Sequence, residues 1–144
     1  VLFRSRECQS VAGYLPTEHL ALGQMMVLRR AFLEPEAFGY QPNNNLTHFF
    51  WTRYMNSFNT QSSAATVRDH FIVKYPMIFP STPFFIEEFH NPDFAGDIAK
   101  DVELLRSISL QYSGELFHGF AFFEFQKSFY KNVGGEERFG MFTL

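Results

Sequence analysis

The chain has 144 residues, enough for one ordinary domain, with 46% hydrophobic and 19% charged residues and a net charge of −3. No basic patch dominates, which argues against a nucleic-acid partner, and no run of about 18 apolar residues exists that could span a membrane as a helix. The single cysteine, Cys8, excludes an internal disulfide, and the 20 phenylalanines point to a large aromatic core, with stacking on sugar rings as a second use.

The chain opens on "VLFRS" without a methionine or a signal peptide. Its back-translation, GTG-CTC-TTC-CGA-TCT, resembles the end of a sequencing adapter, so Val1–Ser5 are expected to be non-native. The last residues, "RFGMFTL", stop on an apolar run, so a truncated C-terminus is expected as well. "LPTEHLALGQMMVLRRAFLEPEAF" predicts a helix with Thr17 as N-cap and an apolar stripe through Leu20, Met25, Leu28 and Phe32. Arg29 and Arg30 come late, where cations suit the helix dipole, and Pro35 stops or kinks it. After the loop "GYQPNNN", the sequon "NLT" at Asn45 is a candidate glycan acceptor.

"LTHFFWTRYMNSF", rich in aromatics, predicts a strand. "SSAATVRDHFIVKYPMIF" predicts a helix capped by Ser62 or Ser63 and broken before Pro76. "TPFFIEEF" predicts a second strand. "NPDFAGDIAKDVELLRSISLQY" predicts a third helix, with Asp93 or Asp97 as cap and Ile98, Val102, Leu105 and Ile108 at spacings of three and four. "GELFHGFAFFEFQ" predicts a third strand, followed by the polar loop "KNVGGEE". Alternation of helices with apolar strands argues for βαβ units and a parallel sheet. No glycine-rich phosphate loop follows any strand, so an open nucleotide-binding sheet is disfavoured against part of a (β/α)8 barrel.

"FFIEEF" ends in adjacent glutamates. Strict alternation sets Phe84, Ile86 and Glu88 on one face and Phe85, Glu87 and Phe89 on the other. Glu88 then sits at the C-terminal end of the strand, where a barrel opens into its active site. The bland alternative is that both glutamates emerge into a solvated loop.

At this point the chain resembles the C-terminal part of the retaining (β/α)8-barrel glycoside hydrolases, nearest to the β-1,3-glucanase-like family 17. The seventh strand of that clan ends in the nucleophilic glutamate after an apolar stretch that follows a proline, and "PFFIEEFHNP" matches with Glu88 in that position. Glu87 falls where the family often has a small residue, and His90 stands where a glycine is expected. Downstream, "FAFFEFQKSFYKNVGGEERFGMF" is similar to the family's eighth strand and its closing "E-R-x-F-G-L-F". Glu136 matches the glutamate of that motif, Glu124 the strand-eight glutamate with a shift of one residue, and Lys127 or Lys131 its lysine. "RYMNSF" keeps the aromatics and an Asn of the family's "N-x-Y-P-Y-F" but not their order.

The resemblance implies that residues 6–144 form about strands six to eight of a truncated barrel domain. It implies a retaining hydrolase or transglycosylase acting on a β-glucan, with a β-1,3-glucan among the options, Glu88 as nucleophile and the acid/base, usually an "NE" glutamate on the fourth strand, missing upstream. No "NE" occurs in the chain. Trp51, Tyr54 and Phe123 are then expected to stack on sugar rings, and Asn56, His90, Glu124, Lys127 and Glu136 to bind substrate hydroxyls. Glu88, Glu124 and the residues around Tyr54 are expected to converge at the C-terminal ends of three neighbouring parallel strands, and either Glu88 on the opposite rim from Tyr54 or antiparallel pairing of the strands would end the reading. The expected partner is a polysaccharide or oligosaccharide, no cofactor is implied, and an extracellular parent is expected over a cytoplasmic one. Half a barrel has two open edges, so this stretch expressed alone is expected to aggregate or stay loosely packed and to be inactive. The alternatives are a non-catalytic carbohydrate-binding barrel and a metal-dependent enzyme using Glu88, His90 and Asp93, with His118 nearby.

Overall fold

The computed structural model describes residues 20–90, 96–112, 116–124, 126, 139–140 and 142. The expectations that rest on Val1–Ser5, Cys8, Thr17, Asp93, Lys127, Lys131 and Glu136 lie outside these residues. Helix α1 (Leu20–Leu33) ends before Pro35, which opens a short 3₁₀ turn, Pro35–Phe38, closed by Gly39 at φ 69°. Then follow α2 (Leu46–Arg53), β1 (Asn56–Thr60), α3 (Ala64–Val67), a π-turn (Arg68–Ile72) and α4 (Tyr75–Ile78). β2 (Phe84–Phe89), α5 (Ile98–Tyr112) and β3 (Phe117–Phe122) complete the order.

The expected strand over 46–58 is instead a helix followed by a strand. Asn45 caps α2, its Oδ1 accepting the His48 amide at 2.9 Å, so the sequon asparagine has a structural use. Phe32 of α1 then meets Phe49, Phe50 and Tyr54 at ring separations of 5.9, 5.8 and 5.2 Å. The aromatics that favour a strand by propensity are satisfied here by packing against α1, and that contact decides the local structure. The predicted helix over 62–79 is divided by the π-turn and by a turn at Val73–Lys74. Ser63 caps α3, and Pro76 falls in the first turn of α4, where its missing N–H costs nothing. Asp97 accepts the Lys100 amide at 3.2 Å at the start of α5.

The three strands form one parallel sheet in the order β1-β2-β3, so the chain is mixed α/β. Asn56, Phe58 and Thr60 pair with Phe84, Ile86 and Phe89, which in turn pair with Phe117, Phe120 and Phe122. Phe58, Phe84, Ile86, Phe89 and Phe117 are buried in one cluster with Val67, Phe71 and Ile72 from the first crossover and Leu105 and Ile108 from the second. Both crossovers therefore cover the same face of the sheet. Ring pairs tie this core together, among them Phe58–Phe71 at 4.1 Å, Phe71–Phe84 at 5.2 Å and Phe84–Phe117 stacked at 4.8 Å.

Candidate functional site at the C-terminal strand ends

The glutamate pair sits on a β-bulge. Ile86 pairs with Phe58 but Glu88 with Asn59, so Glu87 has no counterpart on β1, and β2 carries one residue more than β3 between Ile86 and Phe89. The bulge corrects the expected faces. Phe89, not Glu88, joins Phe84 and Ile86 on the helix-covered side, and Glu88 shares the other face with Phe85 and Asn59. Glu87 is exposed and Glu88 half-buried. An extra residue turns the chain by half a period, which resolves how two adjacent carboxylates avoid the core.

The strand ends are stitched just beyond Glu88. The His90 amide donates to the Thr60 carbonyl at 3.3 Å, and the Phe123 amide donates to the Phe89 carbonyl at 3.2 Å. The His90 ring adds a third tie, with Nδ1 2.6 Å from the Phe123 carbonyl oxygen. A carbonyl only accepts, so Nδ1 carries the proton and Nε2 the lone pair. His90 is only 4% exposed, with Phe122 and Phe139 rings at 4.7 and 5.3 Å, and its buried Nε2 has no hydrogen-bond partner among the described residues. This burial pushes the imidazole below its usual range, against the opposing pull of the Phe123 carbonyl. Phe123 and Glu124 follow β3, are half-buried and are joined by a cis peptide. Glu88, His90, Phe123 and Glu124 are thus gathered at one end of the sheet.

Trp51, Tyr54 and Asn56 are not gathered there. Asn56 pairs with Phe84, the first residue of β2, so all three lie at the N-terminal end of the strands. Asn56 is 1% exposed, accepts from the Tyr54 hydroxyl at 2.8 Å and donates to the Tyr75 hydroxyl at 2.7 Å. Tyr75 donates onward to the Thr82 carbonyl at 2.9 Å. Burial pushes the Tyr54 phenol up to about 12, and raises that of Tyr75 despite the Asn56 hydrogen bond. Trp51 is half-exposed on α2 beneath the Arg29 guanidinium, 5.6 Å from its ring centre, and Arg29 also donates to the Ile78 carbonyl at 3.1 Å. The misplaced strand boundary accounts for the difference: with β1 ending at Thr60, the residues beside Glu88 are Asn59 and Thr60.

Sequence reasoning missed Asn59. It is the register partner of Glu88, and its buried Oδ1 has no hydrogen-bond partner among the described residues. Its position two residues before the polar loop "QSS" would have marked it, had β1 been recognised as starting at Asn56. His118 is exposed beside Phe117, which pairs with Phe84, so it lies at the end of the sheet away from His90. Among the described residues no group of three or more His, Cys, Asp or Glu is arranged to hold a metal ion, and no helix is long and apolar enough to cross a membrane. Chemically, the gathered end offers one carboxylate on β2 and a second just beyond β3, an aromatic ring and an imidazole. No protein-family model, no curated protein and no solved structure matches the chain.

Proposed function

We propose that the chain is the C-terminal part of a retaining glycoside hydrolase or transglycosylase acting on a β-glucan, built on a (β/α)8 barrel with Glu88 as nucleophile. The observation that carries this reading is the seat of Glu88: the C-terminal end of the middle strand of three, on the face turned away from the helices. Sequential strand order with both crossovers on one side is single winding, as in a barrel; a doubly wound sheet distributes its helices over both sides. In a barrel the face away from the helices points inward, and catalytic groups sit at the C-terminal strand ends.

In this reading the Glu88 carboxylate attacks the anomeric carbon and displaces the leaving group. A second carboxylic acid about 5–5.5 Å away protonates the leaving oxygen and then activates the incoming water or sugar hydroxyl. Glu124 and Phe123, directly after the adjoining strand β3, bind and stack on the sugar beside it. Asn59 takes the place on β1 that Tyr54 and Asn56 were expected to hold. Tyr54 lies on the opposite rim from Glu88, the outcome expected to end the reading as first drawn, while the strands are parallel; the proposal therefore rests on β2 and β3 alone. The bulge distinguishes the two glutamates, because Glu87 is turned out to solvent.

The test is covalent trapping in the full-length protein. A 2-deoxy-2-fluoro-β-glucosyl donor with a good leaving group should label Glu88, and Glu88→Gln should abolish β-glucan turnover while leaving the fold intact. Glu87→Gln should keep most of the activity. Labelling elsewhere, or an active Glu88→Gln protein, would overturn the proposal. Glucan binding without any labelling would instead identify a non-catalytic carbohydrate-binding barrel.

A further inference from the structure

We infer that His90 is a positioning residue whose Nδ1–H holds the Phe123 carbonyl and so seats Glu124 beside Glu88. The inference rests on the glycosidase reading above and deepens it. Three bonds tie the strand ends: His90 N to Thr60 O, Phe123 N to Phe89 O, and His90 Nδ1 to Phe123 O. The first two are ordinary ladder bonds that any residue supplies. The third depends on the side chain, is the shortest at 2.6 Å, and grips the carbonyl immediately before Glu124.

The ring has no freedom to do otherwise. It is 4% exposed and lies against Phe122 and Phe139. Nε2 has no hydrogen-bond partner among the described residues, so the polar contact seen for the side chain is the one at Nδ1. A group held this way fixes a neighbour on the adjacent strand without touching substrate. A displacement of about 1 Å at such a position costs on the order of 100-fold in rate.

The two side-chain amides separate the ring's two nitrogens. The amide N–H of an asparagine falls close to the position of Nδ1, whereas the amide of a glutamine falls close to that of Nε2. In the full-length protein, His90→Asn should keep kcat/KM for β-glucan within about threefold, while His90→Gln should lower it roughly 100-fold. The Glu124→Gln change should add little to the His90→Gln loss, because both act through one carboxylate. Equal activity in the two His90 variants, equal loss in both, or fully additive losses with Glu124→Gln would overturn the role. If the glutamine variant does not fold, the imidazole nitrogen spectrum of the wild-type protein decides: a protonated Nδ1 with a bare Nε2 supports the role, and the opposite tautomer overturns it. Labelling of Glu88 by the fluoroglucosyl donor reads the underlying glycosidase proposal separately. Without it that proposal falls and takes this one with it; with it, the His90 comparison stands or falls alone.

Discussion

Asp101, on α5, holds the first backbone amide of α3: both its carboxylate oxygens lie within hydrogen-bond reach of Ala64 N, at 3.0 and 3.2 Å. A helix N-terminus leaves amides without partners inside its own ladder. Here one of them is satisfied by the neighbouring crossover, while Ser63 caps the Thr66 amide locally. The bond joins the two helical segments that cover the sheet. Asp101→Ala should lower stability by about 1 kcal/mol, the worth of a helix cap, read as a lower thermal midpoint. Asp101→Asn keeps an acceptor and should cost less.

The same residue sets a pH dependence. Burial raises the Asp101 carboxyl above its ordinary value of 3.8, with the Ala64 amide opposing. The unfolded chain therefore loses this proton first as pH rises. Its contribution should make stability fall with pH from about 3.8 up to the raised native value, and Asp101→Asn should remove that component from a pH series of denaturation curves.

His90 should act in the opposite sense. Its native pKa is lowered below 6.5, chiefly by burial, so the unfolded chain binds the proton more readily. Its contribution to stability is complete above pH 6.5 and is lost as pH falls through the window beneath that value. Glu88 and Glu124 are the nearby titratable groups on β2 and after β3. Denaturation midpoints of wild type and His90→Asn should diverge across that window and run parallel above it.

Asn56 should matter to stability and not to chemistry. Asn56→Leu would strand the Tyr54 hydroxyl and remove the donor to Tyr75, at about 1–3 kcal/mol for each buried group left unpaired. Because the network lies at the N-terminal strand ends, turnover per folded molecule in the full-length protein should be unchanged. A specific loss of kcat with unaltered stability would contradict this assignment.

Gly119 has φ +123°, a conformation that side chains rarely adopt, and a Cβ there would lie 3.5 Å from the Phe85 ring. That distance is ordinary contact, so the penalty is backbone strain. Gly119→Ala should cost roughly 1–3 kcal/mol in a denaturant titration.

The parts of the fold that were legible in the sequence are those whose periodicity was unopposed. Ile98, Val102, Leu105 and Ile108 marked α5, and "FFIEEF" marked β2 between a proline and a polar loop. The segment 46–58 misled because Phe49, Phe50 and Trp51 suit a strand by propensity, whereas Asn45 and Phe32, the residues that make it a helix, act through a cap and through a tertiary contact. The site followed the same division. Glu88 belongs to β2, whose end was read correctly, and His90 follows it directly; Glu124 was read as part of the third strand but lies beyond β3, which ends at Phe122. Trp51, Tyr54 and Asn56 were assigned to the wrong end of β1, and Asn59 was hidden by the same error. The face of Glu88 was misjudged because alternation assumes one residue per step, and a bulge leaves no signature in "IEEF".

That extra residue makes Glu87 an insertion in an otherwise alternating strand. Any residue at 87 that tolerates solvent should preserve the orientation of its neighbour. Deleting the position should do so too, because plain alternation from Ile86 then sets Glu88 away from the helices and Phe89 toward them. Descendants of such a chain can therefore exchange or lose the first glutamate and keep the second where it is.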